Sequence, residues 1–282
     1  MHAAHESFAV VIPSKNRAAD IERAVRSIRA QPTQPDRIVV IDQSDRPYDL
    51  PPGNDLLHHY DPAIRGSSVA KNVGIALNGC AIVLFLDDDV EVTSDVVALV
   101  REALRVRPDA VGVECEVLVP AQRAHVEPPG LGARMWGAWQ RIFWRGFFAH
   151  GFVPKPGTDE LERVHGCAMA FRASLFEREQ FDQQLTDYSY GEDWEFSKRA
   201  RRHGRLYLVR GATIVHHEST TNRFGQRRLL EQRWQNVRYF YNKLAADRRP
   251  VDAFWLRWWM LGEAIVWLRK GYGLPRRGRS ER

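Results

Sequence analysis

Ala81-Ile82-Val83-Leu84-Phe85-Leu86-Asp87-Asp88-Asp89 is the stretch on which the fold turns. Six apolar residues run without a break and stop in three carboxylates. A strand with one wet face alternates apolar and polar residues, whereas a strand covered on both faces reads as a continuous apolar run. The stretch therefore predicts a buried strand that carries an acidic cluster at its carboxyl end. Upstream, Ser67 or Ser68 is placed to cap a helix running to Asn78, with Gly79 as its stop. Residues 56–60 read as a strand, and residues 37–41 as a second buried strand ending at Asp42. Asp20 is placed to cap a helix through Ala30, with Ile21, Ala24, Val25 and Ile28 on one face. Residues 8–13 form an apolar run stopped by Pro13. Strand, helix and strand thus fit within about 35 residues, the length of a βαβ unit.

Downstream, Thr93, Ser94 and Asp95 offer a cap for a helix to about Val106, and residues 111–119 are strand-like. Trp136, Trp139, Phe143, Trp144, Phe147 and Phe148 recur at helical spacing within 131–150, and Pro154 and Pro156 mark a loop. Residues 164–171 read as a strand, 191–203 as a helix, and 205–210 and 212–217 as two strands. Continuous apolar strands alternating with amphipathic helices predict an α/β fold, a mostly parallel central sheet flanked by helices. After Thr221 the pattern is helical, broken near Arg249-Pro250. We divide the chain into a sheet domain, 1–221, and a C-terminal helical extension, 222–282.

Composition narrows the function classes. With 282 residues, 44% hydrophobic and 27% charged, the chain is an ordinary globular one, not a disordered, fibrous or polytopic membrane protein. Cys80, Cys115 and Cys167 lie far apart with no Cys-x-x-Cys, which argues against a disulfide framework or a zinc ribbon and fits a reducing compartment. The start carries no basic segment followed by an apolar stretch, so a cytoplasmic location is expected. From residue 222 onward, 13 Arg and two Lys face two Asp and three Glu, a net charge of +10, so 1–221 carries −4 of the overall +6. Five of the nine tryptophans (Trp234, Trp255, Trp258, Trp259 and Trp267) lie in the same extension. Such a tail seeks an anionic surface.

In a parallel α/β sheet, ligands bind beyond the carboxyl ends of the strands. Three polar clusters sit at such ends: Pro13-Ser14-Lys15-Asn16-Arg17, Asp42-Gln43-Ser44-Asp45 and Asp87-Asp88-Asp89. Carboxylates packed this closely call for a cation among them, and a divalent ion shared with substrate phosphates answers that need. Lys71 and Asn72 lie in a helix start that suits an anion.

In this order the motifs resemble glycosyltransferase family 2, inverting enzymes with the GT-A, Rossmann-like nucleotide-sugar fold; the resemblance covers 8–221. Val10-Val11-Ile12-Pro13-Ser14-Lys15-Asn16-Arg17 is similar to the opening strand and nucleotide loop. Val39-Val40-Ile41-Asp42-Gln43-Ser44 is similar to the base-contacting segment, with Gln43 a departure from its Asp- and Gly-rich form. Ala70-Lys71-Asn72-Val73-Gly74 resembles Ala-Arg-Asn-x-Gly, with Lys for Arg, and the acidic triplet resembles Asp-x-Asp. Residues 166–172 resemble the small-residue strand beside the acceptor, and 191–197 the Glu-Asp motif.

The resemblance implies a metal-dependent transfer from a nucleotide-diphospho-sugar donor to a hydroxyl of a glycan or polyprenyl-linked acceptor. Asp193 would be the general base, with Glu192 its first alternative. Pro13, Ser14, Arg17, Asp42, Ser44, Lys71, Asn72, Asp87 and Asp88 would hold the donor, and Gly166, Cys167 and Trp194 would line the acceptor side. Asp89 and a histidine after the strand at 212–217 would hold Mn²⁺ or Mg²⁺: His216, with His217 as the alternative because neighbours on a strand point to opposite faces. The resemblance also reaches the bacterial rhamnosyltransferase-like branch, through His216-His217-Glu218-Ser219 and the Arg-rich tail. A non-catalytic nucleotide-sugar-binding or scaffold protein on the same fold is the competing class.

Residues 254–268 would span about 22 Å as a helix, short of the ~30 Å hydrocarbon core. A helix lying on the inner face of the plasma membrane is therefore expected, making the protein peripheral. Packing on the sheet domain or a homodimer are the alternatives. Nucleic acid is not an expected partner, since it leaves the acidic clusters without a purpose.

Overall fold

The computed structural model describes residues 6–118, 157–185, 189–219, 225–244 and 250–271. The aromatic helix expected within 131–150 and the loop at Pro154 and Pro156 lie outside them. The strands are β1 (Phe8–Ser14), β2 (Arg37–Asp42), β3 (Leu56–Tyr60), β4 (Ile82–Leu86), β5 (Val90–Val92), β6 (Ala110–Leu118), β7 (Glu160–Leu161), β8 (Ala168–Arg172) and β9 (Arg205–His216). The helices are α1 (Ala18–Arg29), α2 (Ser67–Asn78), α3 (Val96–Val106), α4 (Glu192–Ala200), α5 (Gln226–Lys243) and α6 (Asp252–Arg269). The described residues fall into two compact units, one holding every strand with α1 to α4, the other holding α5 and α6.

The sheet order is β3-β2-β1-β4-β8-β6-β9-β5, with β7 beside β9. The run β3-β2-β1-β4 is parallel. Beyond it β8 lies antiparallel between β4 and β6, β6 and β9 are parallel, and β5 is antiparallel to β9. Each apolar run feeds both faces by its two-residue period. Val10, Ile12, Ile38, Val40, Ile82 and Leu84 pack with Ile21, Val25 and Ile28 of α1 and Val97, Val100 and Leu104 of α3. Val11, Val39, Ile41, Val83 and Phe85 pack on the other face with Ala70 of α2 and Phe196 of α4. This two-sided covering is why the runs contain no polar residue. Among the described residues no helix is long and apolar enough to cross a membrane.

Several local expectations are corrected. Arg17 rather than Asp20 occupies the N-cap of α1, because Ala18 and Ala19 already continue the helix; Asp20 lies in its first turn, 2.6 Å from Arg23. Gly66, at φ 95°, is the N-cap of α2, and the hydroxyls of Ser67 and Ser68 go to another partner, described below. The strand expected at 164–171 begins at Ala168, since the backbone N–H groups of Val164, His165 and Gly166 donate to side chains instead of a ladder. The two strands expected at 205–217 are one, β9, whose register against β6 shifts beside Gly211 at φ 80°. Gly211 N–H donates there to Glu116 at 2.7 Å, so the chain bulges without ending the strand.

Candidate active site

β4 delivers Asp87, Asp88 and Asp89 to the carboxyl edge of the sheet. β9 returns antiparallel to β5 with His216 opposite Val90, and this register sets His216 Nε2 3.0 Å from Asp89 Oδ1. One ligand atom each from Asp87, Asp89 and His216 lie within 4.8 Å of one another. His217, on the opposite face, sits 3.0 Å from Glu91. Burial pushes Asp89 up, but His216, Arg17 and the Ser219 N–H together hold it below the ordinary carboxylate value. Asp87 is raised, by burial first and by Asp89, against the pull of Lys71. Two carboxylates and an imidazole form a donor set that fits a divalent first-row ion such as Mn²⁺. Asp88 turns the other way: it accepts from Ser14 Oγ at 2.7 Å and Arg17 Nη1 at 2.8 Å, and burial pushes its carboxyl up to about 6.

Asp193 lies in the first turn of α4, behind Gly191 at φ 80°. Its Oδ2 accepts from Gly166 N–H at 3.1 Å and its Oδ1 from its neighbour Trp194 N–H at 2.8 Å. Trp194 itself is buried. Glu192 is engaged differently. Its carboxylate accepts from Ser67 Oγ at 3.0 Å and Ser68 Oγ at 2.9 Å, and it is ion-paired with Lys71. Lys71 is only 1% exposed. Burial lowers its pKa, but Glu192, Asp87 and Asp193 more than offset that and hold it above the ordinary lysine value. Lys71 is thus an ammonium enclosed among three carboxylates. A Cβ at Gly166 would sit 3.5 Å from Asp193 Cβ and 3.6 Å from Lys71 Nζ, so glycine leaves this junction open.

The loop at 164–167 joins both centres. Cys167 O accepts from Asp87 N–H at 3.3 Å, while Gly166 holds Asp193. The Cys167 thiol is buried and, chiefly through that burial, stays protonated. His165 is fastened by buried Glu114, which takes its backbone N–H at 2.8 Å and meets its Nδ1 at 2.7 Å.

On the β1–β2 side, Ser14 bridges Asp88 and Tyr48 Oη, the latter at 2.9 Å, and Tyr48 Oη accepts from Arg17 N–H at 2.9 Å. Pro13 pairs in register with Ile41 one step earlier. Asp42 is fully buried, accepting from Ser44 and Tyr48 N–H, each at 2.9 Å, with His58 Nε2 at 3.0 Å. Ser44 Oγ accepts from Asn16 N–H at 2.7 Å. Asn72 is also occupied internally, exchanging two hydrogen bonds with the Phe181 backbone. Gln43 is only 6% exposed, and its backbone N–H donates to Ser14 O at 2.9 Å.

The expected site residues therefore gather along one edge of the sheet, but Glu192, Lys71, Asp42, Asp88 and Asn72 are held by their own chain. Sequence reasoning missed Tyr48, His58, Glu114 and His165. Their only local signal is position: His165 directly precedes Gly166, and Tyr48 follows the polar cluster after β2.

Residues 9–179 match glycosyl transferase family 2, a stretch that ends before Asp193 and His216. Solved structures of similar fold include the mannosyltransferase PcManGT from Pyrobaculum calidifontis in complex with GDP-Man and Mn²⁺, with a TM-score of 0.57 and 16% identity over 94% of this chain and 76% of that one. TarS 1-349 from S. aureus gives 0.55 and 15% over 94% and 73%, and GalNAc-T7 with UDP, GalNAc and Mn²⁺ gives 0.57 and 15% over 96% and 59%. At these identities the likeness concerns the fold, which is α/β and GT-A-like as expected. No curated protein matches the chain in sequence.

Proposed function

The chain belongs to glycosyl transferase family 2, and from that premise we propose that it is a metal-dependent inverting glycosyltransferase. The observation that carries the reading is the pairing of two chemically distinct centres through one short loop. Cys167 O holds the backbone of Asp87, in the cluster suited to a divalent ion, and Gly166 N–H holds the carboxylate of Asp193. Asp87, Asp89 and His216 would hold the ion, which would neutralise the charge growing on the leaving diphosphate. Asp193 would accept the proton of the acceptor hydroxyl as that oxygen attacks the anomeric carbon. One displacement of this kind inverts the centre.

Asp193 suits the base role better than Glu192, because Glu192 already holds Lys71 and two hydroxyls. The donor is a nucleotide-diphospho-sugar lying over Ser14, Arg17 and Asp88. The base edge would meet the loop after β2, which Asp42 and Ser44 hold in place through the Ser44, Tyr48 and Asn16 N–H groups. We further propose a hexosyl or deoxyhexosyl donor, with rhamnosyl transfer from a dTDP-sugar, as in the rhamnosyltransferase-like branch, a subordinate reading. The acceptor would be a polyprenyl-linked glycan or another envelope glycoconjugate, met by a peripheral protein at the inner face of the plasma membrane.

A thermal-shift screen of UDP-, GDP- and dTDP-sugars with Mn²⁺, followed by an assay for nucleoside diphosphate release, tests the reading. Metal-dependent stabilisation by one donor class with slow hydrolysis supports it. Donor binding without any release or transfer would favour a non-catalytic binding protein.

A further inference from the structure

β6 carries a carboxylate inside the sheet. Its register sets Glu114 opposite Met169 of β8, and Glu114 is only 3% exposed. Its strand neighbours Val113 and Cys115 join the core on the side of α1 and α3, so Glu114 points to the side of α4. A carboxylate enclosed in this way is costly unless hydrogen bonds answer its oxygens. Among the described residues both oxygens are answered by His165. Oε2 takes its backbone N–H at 2.8 Å, and Oε1 meets its ring Nδ1 at 2.7 Å.

The clamp matters because of where His165 stands. Val164, His165 and Gly166 lie just ahead of β8 and give their backbone N–H groups to side chains: Ser197 Oγ at 3.2 Å, Glu114, and Asp193 Oδ2 at 3.1 Å. Ser197 and Asp193 both belong to α4, and Ser197 Oγ donates to Asp193 O at 2.6 Å. Those two contacts move with the helix that carries Asp193. Glu114 belongs to the sheet, so it fixes the same backbone relative to β6 instead. The carboxylate of Asp193 shows the same division. Oδ1 accepts from the N–H of its neighbour Trp194, whereas Oδ2 accepts from Gly166, outside α4. Arg163 lies between the two acids electrostatically, its charge acting on both Asp193 and Glu114.

We propose that Glu114 is a positioning residue for the general base. By clamping His165 it holds the Gly166 N–H against Asp193 Oδ2, and so sets the direction in which that carboxylate meets the acceptor hydroxyl. The proposal rests on the assignment of Asp193 as base. It is tested on the full chain with Mn²⁺ and whichever of the UDP-, GDP- and dTDP-sugars the wild type hydrolyses, water being the acceptor. Glu114→Ala releases the loop, and a misplacement of about 1 Å should lower kcat by on the order of 100-fold. Donor KM should change little, because Ser14, Arg17 and Asp88 lie at other strand ends. Glu114→Gln keeps an oxygen for the backbone N–H and an amide that can donate to Nδ1, so kcat should return to within about tenfold of wild type. His165→Ala removes only the ring's hydrogen bond and should also cost about tenfold or less.

The Gly166 amide is read directly by magnetic resonance. Isotopic labelling of histidine carbonyls and glycine nitrogens selects the three His-Gly pairs, His150-Gly151, His165-Gly166 and His203-Gly204. Asp193→Asn identifies the Gly166 resonance as the one that moves. That resonance should move upfield in Glu114→Ala and stay near its wild-type position in Glu114→Gln and His165→Ala. If Glu114→Ala does not fold by circular dichroism, Glu114→Asp, one methylene short, is read in its place against the same expectations. An unmoved Gly166 amide, an unchanged kcat, or a Glu114→Gln variant no better than Glu114→Ala would each overturn the proposal. So would a loss in His165→Ala equal to that in Glu114→Ala with the Gly166 resonance in place, which would make the ring itself the acting group. A wild type that hydrolyses none of the donors would count against the transferase reading alone, since the amide shift is read without donor.

Discussion

Replacing Lys71 by methionine separates a cation that serves substrate from one that serves the protein. Lys71 is 1% exposed and paired with Glu192, itself 8% exposed. Methionine keeps the length and the apolar stem but removes the charge, leaving a buried carboxylate with only the hydroxyls of Ser67 and Ser68, at 3.0 and 2.9 Å. Breaking a buried pair by deleting one partner costs about 3–5 kcal/mol. Two charge-assisted hydrogen bonds remain, so the lower end applies, about 3 kcal/mol. Removing both charges relieves Glu192 but leaves Asp87 and Asp193 without their shared ammonium, so Lys71→Met/Glu192→Gln should recover part of that loss, with a coupling of about 2 kcal/mol. Urea unfolding followed by circular dichroism reads both values; with a slope near 3 kcal/mol/M the single variant's midpoint falls by about 1 M. A single variant within about 1 kcal/mol of wild type, or a double variant no more stable than the single, would refute the internal-counterion argument. Lys71 would then be available to a donor phosphate.

Asp89→Ala should abolish Mn²⁺-dependent donor stabilisation in a thermal-shift assay while the far-ultraviolet circular dichroism stays native; an unchanged donor response would remove Asp89 from the metal set. Asp193→Asn can still accept the Gly166 N–H but cannot take a proton, so kcat should fall by about 10²–10⁴-fold with donor affinity little changed. Near-normal turnover would move the base elsewhere. Gly112→Ala would put a Cβ 2.4 Å from the Phe171 ring and 2.9 Å from the Ala170 carbonyl oxygen. Because the second neighbour is backbone, the clash should cost about 1–3 kcal/mol in unfolding free energy, and a loss too small to measure would mean β6 and β8 can part there.

By itself the sequence determined the strands β1, β2 and β4, the apolar face of α1 and the position of the acidic triplet. Those signals are local: a strand covered on both faces must be apolar throughout, and a helix that buries one side must repeat near 3.6 residues. The same locality placed Asp87, Asp89 and His216 at strand ends, where a parallel sheet exposes its ligand edge. Only the tertiary structure decided which of those side chains remain open to a ligand. Glu192 and Lys71 are 121 residues apart, and nothing near either announces the pair. Asp42 is filled by Tyr48 and His58, and Ser67 and Ser68, at the very start of α2, turn from capping toward a carboxylate on α4. The insertion of β8 between β4 and β6, which sets the loop at 164–167 across the two centres, is also a matter of pairing rather than pattern. Periodicity records which face of an element is dry, but a hydrogen bond or ion pair depends on two groups whose meeting is set by how the elements cross and in what register.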